Sequence, residues 1–475
     1  MKDKVLVVDM DDSFLKTDLF YELIFKYIKN NLFNLLKVFF FLFTKNRLFL
    51  KNYLANKVSI NIDNIPVNES VLLWIQSNRK NYSKIILCSG SPHILVKKVS
   101  EKYKIFDKVF GSTKKVNLNG DAKLNFLLNN GFKNFDYIGD SFKDIALWRE
   151  AKKKICVNFT RLRCMFFSLI FNIKFDKNFS QSTKEYIKSL IRLFRVNQWV
   201  KNLLIFVHFM ALGSFDSHLY NVIPFAFLFL CLVSSFGYVL NDLFDLDSDR
   251  THPNKKNRPF ASGELSPSSS IYIFLMLIFF GLGICVYLIP NYNLFVLTVI
   301  LYLLLSSIYT FKVKHLKYMD CYVLSFFFTY RIFTGSLLDL ENNISVHLLL
   351  FSFLVFYSLA NMKRYTELKN SKLIKLKGRP YFIGDLRLIS IMGFLSLLLS
   401  LFFLIYFSGE MTIFIKFDHN LLISIVLFYL WVSYLWYRAI ISKTDFDLVV
   451  FSYSDKISLS LILLFISLFF IYNFL

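Results

Sequence analysis

Several apolar runs of about 18 or more residues, beginning near residue 200, constrain the fold more than any other feature of this sequence. Each run is long enough to cross a bilayer as a helix. Of the 475 residues, 55% are hydrophobic, and a single water-soluble domain of that composition could not bury its apolar surface. The sequence therefore predicts a polytopic membrane protein with a soluble N-terminal domain. Collagen, a coiled coil and wholesale disorder are excluded.

The loops between the apolar runs fix the orientation. With the N-terminus inside, the large cytoplasmic loops carry about seventeen Lys and Arg, against about one in the outward loops, as the positive-inside rule requires. This distribution explains the net charge of +23, so no nucleic-acid partner is expected. We place nine spans at residues 200–213, 219–240, 270–289, 294–311, 321–338, 346–362, 387–408, 420–440 and 457–474.

Four short apolar runs in the first 160 residues predict buried strands separated by helices. Strands that alternate with helices are typical of a doubly wound parallel sheet. The predicted fold class is thus a Rossmann-like α/β domain followed by an all-α membrane domain. The predicted strands are Val5–Val8, Ile85–Cys88, Lys108–Phe110 and Phe135–Ile138.

The segment after the first strand is helical in pattern. Residues 31–50 are rich in Phe and Leu but contain Lys37, Lys45 and Arg47, which favours a pair of cap helices on the membrane surface over a span. The predicted domains are an α/β domain at 1–158 with a helical cap over about 14–75, a basic connector at 159–190 and a membrane domain at 191–475.

The first apolar run, Val5–Val8, ends at once in acidic residues and is not the core of a signal peptide. The α/β domain is therefore expected in the cytoplasm, at the inner face of the plasma membrane. The six cysteines form no CxxC pair, so neither a disulfide framework nor a zinc site is expected.

Polar side chains directly follow the predicted strands. Two aspartates with a single residue between them follow the first strand, so their side chains point toward one site. In open α/β sheets, the crevice at the strand ends binds ligands. Carboxylates beside one lysine and one hydroxyl suit Mg²⁺ and a phosphate group. The candidate residues are Asp9, Asp11, Ser89, Lys123, Asp140 and Asp144.

This set resembles the haloacid dehalogenase (HAD) superfamily of phosphatases over about residues 4–158. One departure is Asp12, where the family usually has glycine. Aspartate tolerates a left-handed conformation better than most residues, but it adds negative charge beside an anion site. A structural domain without activity stays open as an alternative. The resemblance implies Asp9 as nucleophile, Asp11 as general acid/base, Ser89 and Lys123 as phosphoryl contacts, and Mg²⁺ held by Asp9, Asp11, Asp140 and Asp144.

Side chains with oxygen ligands recur at every fourth position at the end of the second predicted span. Asn241, Asp245 and Asp249 would share one face of a helix. Oxygen ligands of this kind favour Mg²⁺, which bridges to substrate phosphates. The basic residues Lys255 and Arg258 follow, and arginine can grip phosphate oxygens with two nitrogens. Acids followed by bases predict a metal–diphosphate site, with candidate metal ligands Asn241, Asp242, Asp245 and Asp249.

Two later cytoplasmic loops also place basic residues near an acid. Tyr309, Lys314 and Asp320 flank the fourth and fifth spans, and Lys363-Arg364 follows the sixth. Isolated bases such as Lys369 and Lys375 are assigned to membrane orientation alone. The candidate substrate-binding residues are Lys255, Arg258, Tyr309, Lys314, Lys363 and Arg364.

Residues 190–475 resemble the UbiA superfamily of intramembrane prenyltransferases, whose NDxxDxxxD motif begins at Asn241. The resemblance implies nine helices around a cavity open to lipid, with Mg²⁺ as cofactor. The segment His252–Gly263 reads HPxKxxRPxASG. With Lys363-Arg364-Tyr365, it looks most like decaprenyl-phosphate phosphoribosyltransferases. Those enzymes transfer phosphoribose from phosphoribosyl diphosphate to a polyprenyl phosphate.

The leading hypothesis is phosphoribosyl transfer to a polyprenyl phosphate, with a fused phosphatase that dephosphorylates the product. One alternative is prenyl transfer to an aromatic acceptor, as in quinone synthesis. A second alternative is an inactive membrane scaffold whose α/β domain recruits partners. The expected partners are a polyprenyl lipid, a phosphorylated or diphosphate donor and the bilayer, while the oligomeric state, including a homo-oligomer, is left open.

The first prediction concerns orientation. Cysteines introduced by Asn293→Cys and Asn342→Cys should react with membrane-impermeant thiol reagents added outside intact cells, because both positions lie in outward loops. Asn257→Cys and Asn370→Cys should react only after the membrane is opened. The reverse labelling pattern would overturn the nine-span topology.

Overall fold

The computed structural model describes most of the chain, and its residues form two compact units. The first unit comprises Met1–Val196 and Tyr238–Met276, and the second comprises Asn197–Gly237 and Leu277–Leu475. The residues described are 4–31, 33–45, 47–180, 182–212, 217–253, 255–289, 292–339, 345–370, 375–376, 379–406, 419–441, 451–452 and 454–474.

A parallel six-stranded sheet forms the centre of the first unit, with strand order β3-β2-β1-β4-β5-β6. Val8 at the end of β1 pairs with Leu87 of β2 on one side and Ile138 of β4 on the other. The strand order reverses at β1, so the crevice beyond its carboxyl end is the expected ligand site. The strands are β1 Val5–Val8, β2 Lys84–Pro92, β3 Lys108–Ser112, β4 Phe135–Gly139, β5 Lys154–Val157 and β6 Lys177–Phe179.

All four predicted strands are confirmed, and β5 and β6 are additional. Alternate residues of β1 enter different cores: Leu6 and Val8 pack on one face of the sheet, and Val5 and Val7 on the other. A strand buried on both faces reads as a continuous apolar run, which is why Val5–Val8 could be identified. Both faces are covered by helices, as in other doubly wound sheets.

Among the described residues up to 194, nine α-helices accompany the sheet. Four of them lie between β1 and β2, where the cap was predicted. Helix α2 has 11 residues, fewer than the roughly 20 needed to span a bilayer. It exposes Leu36, Phe40 and Phe43 on one apolar stripe, and its placement on the membrane surface stays a prediction. The helices are α1 Leu19–Asn30, α2 Asn34–Thr44, α3 Arg47–Lys57, α4 Glu69–Ser77, α5 His93–Tyr103, α6 Asp121–Asn129, α7 Ile145–Glu150, α8 Arg161–Phe171 and α9 Thr183–Phe194.

Beyond α9, the described residues lie mainly in helices. In the second unit, Trp436 is fully buried and donates from Nε1 to Ser358 Oγ at 3.0 Å. The Trp436 ring lies 2.2 Å from where a Cβ on Gly393 would stand, so this close packing requires glycine. The remaining helices are α10 Val207–Leu212, α11 Ser217–Phe244, α12 Leu246–Thr251, α13 Pro267–Leu288, α14 Tyr292–Phe311, α15 Met319–Ser336, α16 Val346–Asn370, α17 Leu386–Tyr406, α18 His419–Ile441 and α19 Lys456–Phe474.

Among the described residues, six helical segments are long and apolar enough to cross a membrane, as in a multi-pass membrane protein. They are Asn221–Phe244, Ser270–Leu288, Tyr292–His315, Val346–Asn370, Ile383–Leu404 and Ile423–Ile441.

Three predicted spans fall outside this set. Residues 200–212 form a 3₁₀ stretch followed by the short helix α10, while 321–338 and 457–474 correspond largely to α15 and α19. The total of nine spans and the predicted domain boundaries stay predictions.

Candidate functional site

The first candidate site lies at the carboxyl end of β1. The backbone N–H of Asp9 donates to Ile138 O of β4 at 3.0 Å. Lys123, in the first turn of α6, donates from Nζ to Asp9 Oδ1 at 2.7 Å, and both side chains are largely buried. Ligand oxygens of Asp9, Asp140 and Asp144 lie within 4.8 Å of one another. The fold thus brings together four residues that are far apart in sequence.

Tyr137 of β4 links the lysine to the last of these acids. Lys123 Nζ donates to Tyr137 OH at 3.0 Å, and Tyr137 OH donates to Asp144 Oδ1 at 2.6 Å. The other oxygen of Asp144 accepts the backbone N–H of Ser141 at 3.0 Å. A Cβ on Gly139 would lie 2.7 Å from the Tyr137 ring and 2.8 Å from Asp144 Oδ2, so only glycine fits here. Sequence analysis missed Tyr137, because a tyrosine within a strand usually serves the core.

Asp11 is held by a separate set of donors. Its Oδ2 accepts hydrogen bonds from Ser89 Oγ at 2.8 Å and Ser91 Oγ at 2.7 Å. Its Oδ1 accepts the backbone N–H of Leu19 at 3.1 Å. Among the described residues, Asp11 is not part of the cluster of three acids. Its carboxylate lies between β2 and the start of α1.

The carboxylates of this crevice are largely buried, and too few basic side chains lie beside them to compensate their charge. Burial raises the pKa of Asp9 to about 7, with Lys123 acting in the opposite direction. Burial also raises the pKa of Asp140 well above its usual value, and neighbouring Asp144 raises it further. These acids therefore hold protons more tightly than exposed carboxyls, unless a cation compensates their charge.

Asp12, where the resemblance to HAD phosphatases leads us to expect glycine, adopts a left-handed backbone, with φ 54°. Burial raises its pKa to about 8. Its Oδ2 accepts from Ser268 Oγ, in the first turn of α13, at 3.2 Å. Its Oδ1 is buried without a hydrogen-bond partner in the described structure.

A cavity of about 340 Å³ opens at this crevice. Its acids supply only oxygen ligands, which Mg²⁺ prefers, and the acid cluster has the close spacing that a shared cation needs. The residues present therefore fit a magnesium ion. Basic side chains from the cap, Arg47 and Lys51, and from Lys143 line the same cavity, as do Ser268 and Tyr272 of α13.

The second candidate site is the predicted metal–diphosphate motif, which also belongs to the first unit. Helix α11 ends at Phe244 and α12 begins at Leu246, with Asp245 between them. The backbone N–H of Asp245 donates to Asn241 O at 3.0 Å, and that of Asp249 donates to Asp245 O at 2.8 Å. The four-residue spacing of a helix thus continues across the break.

Each carboxylate of this motif faces a basic side chain. Asp242 Oδ1 accepts from Arg195 at 2.5 Å and from Arg258 at 2.9 Å. Arg258 also donates to Asp249 Oδ2 at 2.7 Å. Asp245 Oδ1 accepts from Lys29 Nζ of α1 at 2.9 Å. Within the described part of the chain, no three acids of this segment lie as close together as the acids beside Asp9.

The donor set of the motif nevertheless consists of oxygen atoms, and Asp242 and Asp249 are buried. Such a set fits Mg²⁺ by its chemistry. Arg258 contacts the acids directly, whereas Lys255 is exposed in a short 3₁₀ turn, Lys255–Asn257. Sequence analysis missed Arg195, which lies 47 residues before its partner Asp242.

A third polar cluster lies in the second unit, around the buried Asp320 at the start of α15. Arg364 Nε of α16 contacts Asp320 Oδ2 at 2.6 Å, and Arg379 contacts the same oxygen at 3.4 Å. Arg379 also donates to Tyr309 OH at 3.0 Å and to the carbonyl oxygen of Lys314 at 3.2 Å. Tyr381 OH donates to the other oxygen of Asp320.

The structure thus joins Tyr309, Arg364 and the backbone of Lys314 in one cluster. Lys363 precedes Arg364 on α16. Arg379 and Tyr381 were not predicted, because the basic loop around residues 369–379 was attributed to membrane orientation. The sequence Arg-Pro-Tyr at 379–381 was the available signal.

An apolar cavity of about 330 Å³ lies elsewhere in the second unit. Aliphatic and aromatic side chains from several helices line it. They include Leu204, Val207, Leu348, Phe351, Phe428 and Phe465.

The chain is similar along most of its length to the protein y4nM of Sinorhizobium fredii, with 28% identity over 95% of this chain and 88% of that protein. It is 39% identical to the nodulation protein NoeC of Azorhizobium caulinodans over 40% of this chain and 62% of NoeC. It is 29% identical to the decaprenyl-phosphate phosphoribosyltransferase of Corynebacterium glutamicum, over 34% of this chain and 49% of that enzyme. The chain thus spans about half the length of that enzyme.

Two solved structures align with part of this chain. A UbiA homologue from Archaeoglobus fulgidus bound to GPP and Mg²⁺ aligns with a TM-score of 0.43 and 17% identity, over 60% of this chain and 98% of that chain. A structure of digeranylgeranylglyceryl phosphate synthase aligns with the same TM-score and identity, over 61% of this chain and 99% of that chain.

The sequence profile of the UbiA prenyltransferase family matches residues 202–454, more than half of the chain. The matched range includes the acidic motif from Asn241 to Asp249 and the cluster around Asp320. This chain therefore belongs to the UbiA prenyltransferase family.

Proposed function

We propose that the membrane part transfers phosphoribose from phosphoribosyl diphosphate to a polyprenyl phosphate, and that the α/β part then removes the sugar 5-phosphate. Similarity to decaprenyl-phosphate phosphoribosyltransferases, at 28–30% identity in two genera besides Corynebacterium, is the observation that carries the transfer step. The buried Asp9–Lys123 pair beside Asp140 and Asp144 supports the phosphatase step.

The acidic motif suits a donor that carries a diphosphate. Asn241, Asp245 and Asp249 would hold Mg²⁺, which neutralises the diphosphate as it leaves. Arg258 contacts both Asp242 and Asp249. When the donor binds, a phosphate oxygen would replace one of these carboxylates as the partner of Arg258. Guanidinium nitrogens bind phosphate in the same two-pronged way as carboxylate. Lys255 adds a mobile positive charge.

In the proposed transfer, an oxygen of the lipid phosphate attacks the anomeric carbon of the ribose. The bond from that carbon to the diphosphate breaks, and the diphosphate leaves with the electron pair. The lipid phosphate is already an anion, so its oxygen can attack without first losing a proton. The apolar cavity of the second unit has the lining that an isoprenoid chain requires.

The cluster around Asp320 favours anionic substrates over a neutral aromatic acceptor. The aromatic prenyltransferases of this family commonly carry a second acidic motif in the later half of the chain. Here Asp320 is fully buried and compensated by two arginines, Arg364 and Arg379. Arg379 is the more exposed of the two arginines, and we propose it as a further phosphate contact. Lys314, Lys363 and Arg364 would add positive charge around the bound phosphate.

The phosphatase step begins at the Asp9 carboxylate, which attacks phosphorus while the ester bond to the sugar oxygen breaks. Asp11 donates a proton to the leaving oxygen and later removes one from the water that hydrolyses the aspartyl phosphate. Lys123 favours the ionised form of Asp9 and so opposes the effect of burial. Mg²⁺ held by Asp9, Asp140 and Asp144 would neutralise the phosphoryl oxygens. Ser89 orients Asp11 and lies beside the same crevice.

The second prediction tests the metal–diphosphate motif by replacing its aspartates with asparagine. Asp249→Asn or Asp245→Asn should lower phosphoribosyl transfer by about 100-fold or more, since stabilising a leaving diphosphate is often the largest catalytic effect. The measurement is initial rate in membranes at saturating Mg²⁺. The matched control is Asp63→Asn, which changes an exposed acid outside the motif and should stay within about twofold of the parent. A near-parental rate in Asp249→Asn would exclude the motif as the metal site.

The phosphatase prediction follows the product. Asp9→Asn protein supplied with both substrates should accumulate lipid-linked ribose 5-phosphate, because the amide cannot act as nucleophile. Parent protein should yield the dephosphorylated lipid, as read by mass spectrometry of the lipid extract. Asp121→Asn, an exposed acid at the start of the helix that carries Lys123, should behave as the parent does. Identical products from Asp9→Asn and parent would show that the α/β domain acts on something else.

A further inference from the structure

Helix α1 of the α/β domain contacts the metal–diphosphate motif along its length. Glu22, Phe25, Lys26 and Lys29 lie on one face of this helix, at the spacing that aligns side chains on successive turns. The residues they contact are Phe244, Asp245, Asp247 and Arg250, within or directly beside the motif. Helix and motif both belong to the first unit.

The strongest of these contacts is a buried ion pair. Arg250 donates from both terminal nitrogens to the two oxygens of Glu22, at 2.9 and 2.6 Å. The two side chains are only 3% and 4% exposed. Thr17 Oγ1 donates to Glu22 Oε1 at 2.7 Å, which fixes the carboxylate from the other side. Arg250 directly follows the candidate metal ligand Asp249, so this pair anchors the end of the motif.

The buried guanidinium depends on Glu22. Arg250 Nε is buried and has no hydrogen-bond partner among the described residues. Removing one partner of a buried pair leaves an uncompensated charge, which the structure relieves by moving. The pairs of Lys26 with Asp247 and Lys29 with Asp245 are more exposed and contribute less.

Apolar and backbone contacts extend the same surface. The rings of Phe25 and Phe244 meet edge to face, with centroids 5.8 Å apart. Phe244 packs against the hydrophobic core on one face of the sheet. Gly263, with φ 70°, lies so close to Lys16 and Pro66 that a Cβ would stand 2.6 Å from Lys16 Cβ. The segment from Phe244 to Gly263 is thus seated on the α/β domain at several points.

We propose that the α/β domain has a second function besides hydrolysis: its helix α1 holds the metal–diphosphate motif in place, and Glu22 is a positioning residue that acts through Arg250. This inference rests on the proposed function for its effect on transfer, but the contact itself does not. The hydrolytic residues Asp9 and Asp11 take no part in these contacts. Loss of phosphatase chemistry and loss of motif positioning should therefore be separable by mutation.

The test compares Glu22→Gln, Arg250→Gln and the double variant with the parent, as full-length protein in lipid nanodiscs. Hydrogen–deuterium exchange of amides in residues 244–252 should become about tenfold faster in Glu22→Gln. Peptides covering β1 and β2 should be unchanged, which shows that the sheet is folded. The double variant should exchange no faster than Arg250→Gln, because both changes remove one interaction. Glu101→Gln, an exposed acid on α5, should match the parent.

Transfer assays provide the second readout. The Mg²⁺ concentration for half-maximal transfer should rise about tenfold in Glu22→Gln, within the usual range of coupling between sites. If the parent shows no phosphoribosyl transfer, the proposed function fails, and hydrogen exchange still decides the positioning role. Unchanged exchange in 244–252 would overturn the proposal. The proposal would also be overturned if amide exchange in both single variants became faster by the same factor in residues 244–252 and in the sheet. Glu22 would then stabilise only the fold of the α/β domain.

Discussion

The cost of burying carboxylates is the constraint on which both parts of this protein depend. Moving a charge out of water is costly unless a partner compensates it. At the acidic motif and at Asp320 the chain supplies that partner itself, through Arg195, Arg258 and Arg364. At the end of β1, three clustered acids share a single buried lysine. The crevice is therefore the place where a bound cation has most to compensate.

Local patterns predicted much of the fold, and long-range pairing accounts for what was missed. A four-residue apolar run followed by aspartate can be recognised in the sequence without knowing which strands will pair with it. Strand β1 and the Asp9 site were predicted in this way. Strand β6 has three residues and no comparable run. Arg379 was missed because its partner Asp320 is 59 residues away, and nothing in a basic loop distinguishes an arginine paired with a buried acid from one that only sets the orientation of the protein in the membrane. The contact of Glu22 with Arg250 spans 228 residues and has no local signature.

The proposed reactions explain why one chain carries both parts. Phosphoribosyl transfer leaves a sugar 5-phosphate on a lipid, and a phosphatase on the same chain meets that product at an effective concentration of about millimolar. Prenyl transfer to an aromatic acceptor leaves no such phosphomonoester. Ser268 and Tyr272 of α13, a helix that continues into a candidate span, line the cavity beside Asp9. That lining suits a substrate presented from the membrane.

The most direct measurement of the central claim is a double-label assay on membranes that contain the parent protein. Phosphoribosyl diphosphate would carry ¹⁴C in the ribose and ³²P in the 5-phosphate, with a polyprenyl phosphate as acceptor and Mg²⁺ present. The account predicts ¹⁴C in the lipid extract, dependent on the acceptor, with ³²P released into the aqueous phase. Absence of ¹⁴C from the lipid, together with prenylation of an aromatic acceptor by the same membranes, would contradict it.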